Sequence, residues 1–318
     1  MIERYTKIIL PVRPQPDTIV AIFLLKTFGK EKYPGIDEAS VEILATLPEG
    51  ENEKSFQEKG VFLIDIGGGE FDHHTKETTT SKLIAQNLGI ADNPVFTKLL
   101  SYAERDDKYG MGTISKDSLD RAFGLSGLIT ALNKSIPQNT NEVVEYILPL
   151  LIAHYLEEKK RIEDLPREYQ EKFEAGKAQE IEVQHKGKNV SLIILESDSP
   201  SMAGWLRSSA GKKADVVVQK MSSGYINILT KQFKKIDLRK TISFIRQTEA
   251  NITKQKLSPA ELSAPGRISK VPNWYYDRAT NSLLNGGLNP QGVEATKISF
   301  EKIRQLVLQG LENTKINN

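Results

Sequence analysis

Cysteine is absent from the 318 residues. That excludes disulfides, thiolate zinc sites, iron–sulfur clusters and a cysteine nucleophile. Histidine is scarce, with four in the chain, so any metal site must lean on carboxylates. No run approaches the roughly 18 apolar residues of a membrane span. The N-terminal stretch MIERYTKIILPV lacks a sustained apolar signal core. A cytoplasmic location, away from any membrane, is the default expectation. A dominant charge is missing too: 43 Lys+Arg stand against 41 Asp+Glu, a net charge of +2. Bulk charge therefore makes no case for a nucleic-acid or membrane protein, although a local basic groove stays open. What is present is a globular balance, 39% hydrophobic and 26% charged, with enough apolar surface for a real core. The length suits one large domain or two ordinary ones.

Lys7–Val12 (KIILPV) reads as a short buried strand that ends in a proline-rich turn, Pro11-Val-Arg-Pro-Gln-Pro16. Asp17 stands where a helix N-cap belongs, and Thr18–Gly29 reads as a mostly buried helix closed by Gly29. Val41–Thr46 and Gly60–Asp65 are two further strands, the latter a continuous apolar run that suits a strand covered on both faces. This order implies an α/β fold with a mostly parallel sheet in the N-terminal part. Helical patterns dominate from Ser81 to about Lys172, including a long amphipathic stretch, Glu142–Ile162, with a kink expected at Pro149. They form a helical connector.

Near Gly176 the texture changes. Strands are expected at Gln179–Val183 and Val190–Glu196, and a hairpin over Asp215–Gln219 and Tyr225–Thr230. Helices are expected at Ser201–Gly211, Leu238–Ala250 and Ser299–Leu311, with Pro259–Pro272 a loop. The domains are placed at 1–170 and 171–318, the second a smaller α/β domain.

The densest chemical signal is Leu63-Ile-Asp-Ile-Gly-Gly-Gly-Glu-Phe-Asp-His-His74. A strand ends at Asp65, three glycines follow, and Asp72, His73 and His74 close the string. Carboxylate oxygens and imidazoles on glycine-rich loops are the donors that Mg²⁺ or Mn²⁺ takes. Open α/β sheets also bind ligands at the carboxyl ends of their strands. Each part has an ordinary reading as well: a capping Asp, a glycine turn, a solvated histidine pair. The compound string is what points to a site.

That string resembles the DHH phosphoesterase family, named for its Asp-His-His motif, here Asp72-His73-His74. Asp65 stands at the family's upstream bridging carboxylate. The family's first motif, His-x-x-x-Asp-x-Asp, meets Pro11-Val-Arg-Pro-Gln-Pro-Asp17. Asp17 matches its final carboxylate, whereas the His falls on Pro11 and the first Asp on Gln15. The segment Glu104-Arg-Asp-Asp-Lys-Tyr-Gly110 stands for a later motif, through Asp106 or Asp107. The resemblance is closest to the metal-dependent hydrolase and exonuclease branch, and its motifs cover residues 7 to about 110.

The resemblance implies one Mn²⁺ or Mg²⁺ ion rather than two, held by Asp17, Asp65, His73 and Asp106 or Asp107. It further implies a phosphoesterase acting on a nucleotide or short nucleic acid in an interdomain cleft, and a homodimer is compatible with it. Arg13 inside the altered motif is the candidate to replace the lost positive charge at phosphate. Arg105 is less well placed. His74 orients substrate or bonds a ligand carboxylate. Asp72, Gly67 and Gly68 are candidates for substrate binding. In the second half, Lys231, Lys234, Lys235, Arg239 and Arg246 form a basic stretch or a solvated helix face. Trp274-Tyr-Tyr276 with Asn285-Gly286-Gly287 stacks a base above a phosphate loop, or simply packs around a turn. His154 reads as a core residue and His185 as a solvated one. A relative that binds nucleotide without turnover is the alternative, on the strength of Pro11 and Gln15.

Overall fold

The computed structural model describes residues 4–110, 114–138, 140–286 and 292–312. The chain divides into two compact units, 1–159 and 160–318.

The first unit runs β1 (Lys7–Pro11), α1 (Pro16–Phe28), β2 (Ser40–Leu44), α2 (Glu53–Glu58), β3 (Val61–Leu63), α3 (Thr80–Asn87), α4 (Thr97–Tyr109), α5 (Ser118–Phe123), α6 (Leu125–Ser135) and α7 (Thr140–Lys159). Its three strands are parallel in the order β2-β1-β3. The short apolar run Ile8-Ile9-Leu10 is the centre strand because both faces of the sheet are covered there. Helix α1 is apolar almost all round, and every residue from Pro16 to Leu25 is buried. Such a helix needs packing on every side; α3, α4 and α7 supply it.

The second unit runs α8 (Leu165–Glu174), β4 (Ala178–His185), β5 (Lys188–Glu196), α9 (Met202–Arg207), β6 (Val216–Lys220), β7 (Ile226–Thr230), α10 (Arg239–Ile252), α11 (Pro259–Leu262), β8 (Gly266–Ile268), β9 (Val271–Asp277), β10 (Ser282–Leu284) and α12 (Phe300–Leu311). Its seven strands are ordered β4-β5-β6-β7-β10-β9-β8. Only β5 and β6 pair in parallel. The fold is therefore mixed α/β, with a small parallel sheet in one unit and a mostly antiparallel one in the other. No helix among the described residues is long and apolar enough to cross a membrane.

Helices α10 and α12 touch at a glycine. A Cβ on Gly310 would lie 2.3 Å from Thr241 Oγ1 and 2.7 Å from its Cα. The Cα cannot yield without moving the α10 backbone. Gly310→Ala is therefore expected to cost about 1–3 kcal/mol, the usual penalty of overpacking. Chemical denaturation of the full chain measures it.

Three expectations are corrected. Pro259–Pro272 is not a loop: it holds α11, β8 and the start of β9. Ser258 and Glu261 form a capping box with Pro259 in the first turn, which starts α11. His185 is not solvated but 8% exposed, its Nδ1 2.8 Å from the Leu311 carbonyl oxygen. Asp17 does not cap its own helix: Gln15 stands at that position, and the Gln15 N–H donates to Thr18 Oγ1.

Glu261 offers a check on the α11 cap. The Ser258 N–H, the Lys270 ammonium and the Ser258 hydroxyl together hold its carboxyl down at about 2. A depressed carboxylate stabilises the fold above its ordinary value of 4.5. That contribution is lost as pH falls through the depressed one. Side-chain NMR titration is expected to give a midpoint near 2 that rises in Lys270→Ala.

Candidate metal centre

The site forms at the ends of β1 and β3, where the chain must turn sharply. After Leu63, the Ile64 N–H still reaches back to the Ile9 carbonyl at 2.8 Å. Asp65 then adopts a left-handed backbone, φ 56°, a conformation that Asp tolerates better than most residues. Its N–H bonds the Phe71 carbonyl at 3.0 Å, which closes the glycine loop. Gly67 has φ 83°, a left-handed backbone that favours glycine, and a Cβ there would also push on Leu47 Cδ1. On the β1 side, Arg13 is likewise left-handed, φ 59°.

Asp72 is the anchor of the glycine loop. Its Oδ2 accepts from the Gly68 N–H at 2.8 Å; its Oδ1 accepts from the His74 N–H at 3.1 Å and lies 2.7 Å from His74 Nδ1. Burial works against its charge, but these bonds outweigh it and hold the carboxyl below the usual carboxylate range. The same contact with Asp72 raises the His74 imidazole above its ordinary value. The Gly68 N–H is thus spent on Asp72, so the glycine run acts first as a turn.

His73 bridges two carboxylates. Its Nδ1 lies 2.7 Å from Asp65 Oδ1 and 2.9 Å from Thr80 Oγ1, while its Nε2 lies 3.4 Å from Asp107 Oδ1. The His73 and His74 rings stack, 5.2 Å between centroids. Burial raises the Asp65 carboxyl, against the pull of His73 and Thr80.

Asp17 is used differently from the expectation. Its Oδ2 accepts from the Thr80 N–H at 2.8 Å, and its Oδ1 from the Ser81 N–H at 3.0 Å and from the Ser81 hydroxyl. It satisfies the first free amides of α3, where an anion is favoured. Burial still raises its carboxyl, with the Ser81 bonds opposing. Its Oδ2 lies 3.9 Å from His73 Nδ1.

Helix phase separates the two α4 carboxylates. Asp107 lines a cavity of about 530 Å³ together with Asp65, His73 and His74. Asp106 points away: it is buried, bonded by the Ser126 side chain, and its Oδ1 has no partner. Burial raises its carboxyl. Arg13, Gln15, Lys76 and Lys108 line the same cavity. Arg13 is exposed, and its guanidinium has no hydrogen bond or ion pair among the described residues. Pro11 also faces the cavity, so Pro11 and Gln15 line it with side chains that carry no charge.

Donor atoms of Asp65, Asp72 and His74 all lie within 4.8 Å of one another, so the three could hold a metal ion. An octahedral cation with bonds near 2.1 Å sets neighbouring donors about 3 Å apart. The Asp72–His74 separation of 2.7 Å and the Asp65–His74 separation of 3.6 Å bracket that spacing. Two carboxylates and an imidazole suit Mn²⁺ or Mg²⁺ chemically. The residues present fit the group.

The remaining candidates belong to the second unit. Arg239 pairs with Asp237, Nη2 to Oδ2 at 2.7 Å. Arg246 is fully buried and donates to the carbonyls of Glu261, Ala264 and Gly266. Trp274 is fully buried in β9, its Nε1 donating to Glu249 at 3.3 Å, so packing is the role it performs. Asn285 is fully buried: its Nδ2 donates to the Asn273 and Glu294 carbonyls and its Oδ1 accepts from the Thr296 N–H. Gly286 has φ 87° beside it, and Gly287 lies outside the described residues. His154 is half-buried, in the wall of a hollow apart from the site.

Sequence reading missed Thr80 and Ser81. The signal was the hydroxyl run Thr78-Thr79-Thr80-Ser81 directly before a helical pattern, a signature of a helix start.

No family model matches the chain, and no curated protein does. Among solved structures, it is similar to a pGpG-specific phosphodiesterase, PggH from Vibrio cholerae, at 11% identity, covering 77% of this chain and 89% of that one, with a TM-score of 0.23. It is also similar to an uncharacterized protein from Helicobacter pylori G27 at 9% identity, covering 96% and 99%, with a TM-score of 0.26. Likenesses at TM-scores this low decide nothing about activity, and the case for function rests on the cavity itself.

Proposed function

We propose that the first unit is a metal-dependent phosphoesterase that hydrolyses a phosphodiester of a nucleotide or short nucleic acid. The observation that carries this reading is the Asp65–Asp72–His74 cluster: Asp65 and His74 line one cavity with Arg13, whose guanidinium is unpartnered among the described residues. Asp65, Asp72 and His74 would hold one Mn²⁺ or Mg²⁺ ion. Bound there, it would polarise the phosphate and acidify a water. The chain's own groups do the rest. Arg13 holds the non-bridging phosphate oxygens and supplies the charge that a second cation would otherwise bring. His73, set between Asp65 and Asp107, is placed to take a proton and share it with either carboxylate. Asp17 keeps α3, and with it the Thr80 hydroxyl on Asp65, in place. The protein is proposed to act in the cytoplasm; a homodimer remains compatible with the site.

Assay of the purified chain with bis(p-nitrophenyl) phosphate and short oligonucleotides tests this. Hydrolysis with Mn²⁺, stopped by chelation, is expected. Asp107→Asn should lower kcat/KM by roughly 10–100-fold through the His73 partner, whereas Asp106→Asn should leave it near the parent value. No hydrolysis of any phosphodiester with either metal sinks the enzyme reading. Nucleotide binding in that case would favour the second reading, a binder without turnover. Pro11 and Gln15 in the cavity wall are the observation behind it.

A further inference from the structure

One edge of the second unit's sheet gathers a charge that the chain as a whole lacks. Strands β5 and β6 start there and β7 ends there: the Asp215 N–H bonds the Ser191 carbonyl and the Lys231 N–H bonds the Asp215 carbonyl, each at 2.9 Å. The β4–β5 turn joins them, because Lys186 Nζ reaches Asp237 Oδ2 at 2.9 Å. Three turns thus come together, residues 186–189, 212–215 and 231–240. They carry nine Lys and Arg against two Asp, in a chain of 43 against 41. With the flanking Glu180, Glu182, Asp277 and Arg278 included, the edge still has ten cations to five anions. The two Asp of the turns are already paired, Asp215 with Lys234 and Asp237 with Lys186 and Arg239. Lys188, Lys213 and Lys235 are exposed, and their ammonium groups have no ion pair or hydrogen bond among the described residues.

Two features set this edge apart from an ordinary solvated surface. Lys186, Lys213 and Lys235 each take a left-handed backbone, φ 50°, 58° and 49°. Glycine or asparagine adopts that conformation at less cost, so each turn holds a cation where local stability favours a neutral residue. Phe233, on the single 3₁₀ turn Gln232–Lys234, is 76% exposed. The Lys231 ammonium lies 6.0 Å from its ring centroid. A solvated ring with cations on its flank is a platform for a base whose phosphates meet those cations. The Asn285–Gly286 turn is elsewhere: the Asn285 N–H bonds the Ile226 carbonyl, at the other end of β7.

The proportions select the occupant. Phe233 is the one large apolar side chain exposed among the described residues of the three turns. A lipid surface binds in proportion to the apolar area inserted, and one ring inserts little. A duplex hides its base faces in the stack. A single strand offers both an open base face and a row of phosphates. We propose that this edge binds a single strand of nucleic acid, with Phe233 stacked on a base and Lys213, Lys231 and Lys235 on its phosphates. The site uses no metal and breaks no bond, so it stands or falls apart from the hydrolytic reading.

Fluorescence anisotropy of the full chain, in chelator, with a labelled oligothymidylate of about twelve nucleotides tests it. The parent is expected to bind, and three phosphate contacts should weaken binding roughly 20-fold between about 50 and 200 mM salt. Phe233→Ala should weaken it at least about fivefold with the salt dependence unchanged. Lys213→Gly combined with Lys235→Gly removes two cations and keeps the left-handed turns, so the fold is retained. That double variant should flatten the salt dependence by roughly two thirds. A duplex of the same length and phosphatidylserine vesicles are the controls, and both should bind more weakly than the single strand. No binding of the oligothymidylate at about 50 mM salt, or affinity that survives all three substitutions, overturns the proposal. Tighter binding of the duplex or the vesicles overturns it too, and a preference for vesicles would mark the edge as a membrane surface.

Discussion

Asp65→Asn is expected to lower Mn²⁺-dependent kcat/KM for a phosphodiester by on the order of a thousandfold or more. Asparagine is the informative replacement. It tolerates the left-handed backbone at φ 56°, so the turn after β3 survives. It can still accept from the Thr80 hydroxyl, which Asp65 does at 3.1 Å. What it removes is the negative charge, the feature that both a cation and the His73 ring require. Asp65 is the residue with contacts to both histidines, 2.7 Å to His73 and 3.6 Å to His74. Steady-state kinetics with circular dichroism as a fold control checks the result. An Asp65→Asn chain as active as the parent would remove Asp65 from the chemistry.

Asp17→Ala is expected to destabilise the first unit by about 2–4 kcal/mol. Three bonds to one carboxylate are lost, and two amides at the start of α3 are left buried. Each such bond is worth roughly 1.5–3 kcal/mol, offset by relief of a buried charge. Asp17→Asn keeps an acceptor and sheds the charge, so its loss should be smaller. The pH dependence has a definite sign. Because burial raises the Asp17 carboxyl, its titration stabilises the fold most below the ordinary value of 3.8, and the contribution fades as pH rises through the elevated value. Urea denaturation at several pH values measures both effects. An Asp17→Ala chain of unchanged stability would mean that the α3 amides are satisfied elsewhere.

The Asp-His-His cluster was legible because its members lie on one short stretch, Asp65 to His74, after an apolar strand. The strand starts and the long helices were equally plain, since each is an uninterrupted pattern. What the sequence withheld depends on distance along the chain or on helix phase. The bonds of Asp17 span 63 and 64 residues, so nothing local reveals that it caps α3 and not α1. Asp106 and Asp107 are consecutive on α4, and about 100° of helix rotation separates them. Only the packing of α4 shows which one faces the cavity. The run Trp274-Tyr-Tyr276 left stacking and packing open, because only the register of β9 puts Trp274 and Tyr276 inward and Tyr275 outward. Strand β8 is three residues long, and Ile268, half-buried against the core, is its one large apolar side chain.

Mn²⁺ titration followed by electron paramagnetic resonance examines the metal cluster at its simplest, without any substrate. One tight ion per parent chain, lost in Asp65→Asn and in Asp72→Asn, is the expected result. A parent chain that leaves Mn²⁺ free in solution, or variants that bind it as tightly as the parent, would contradict the account.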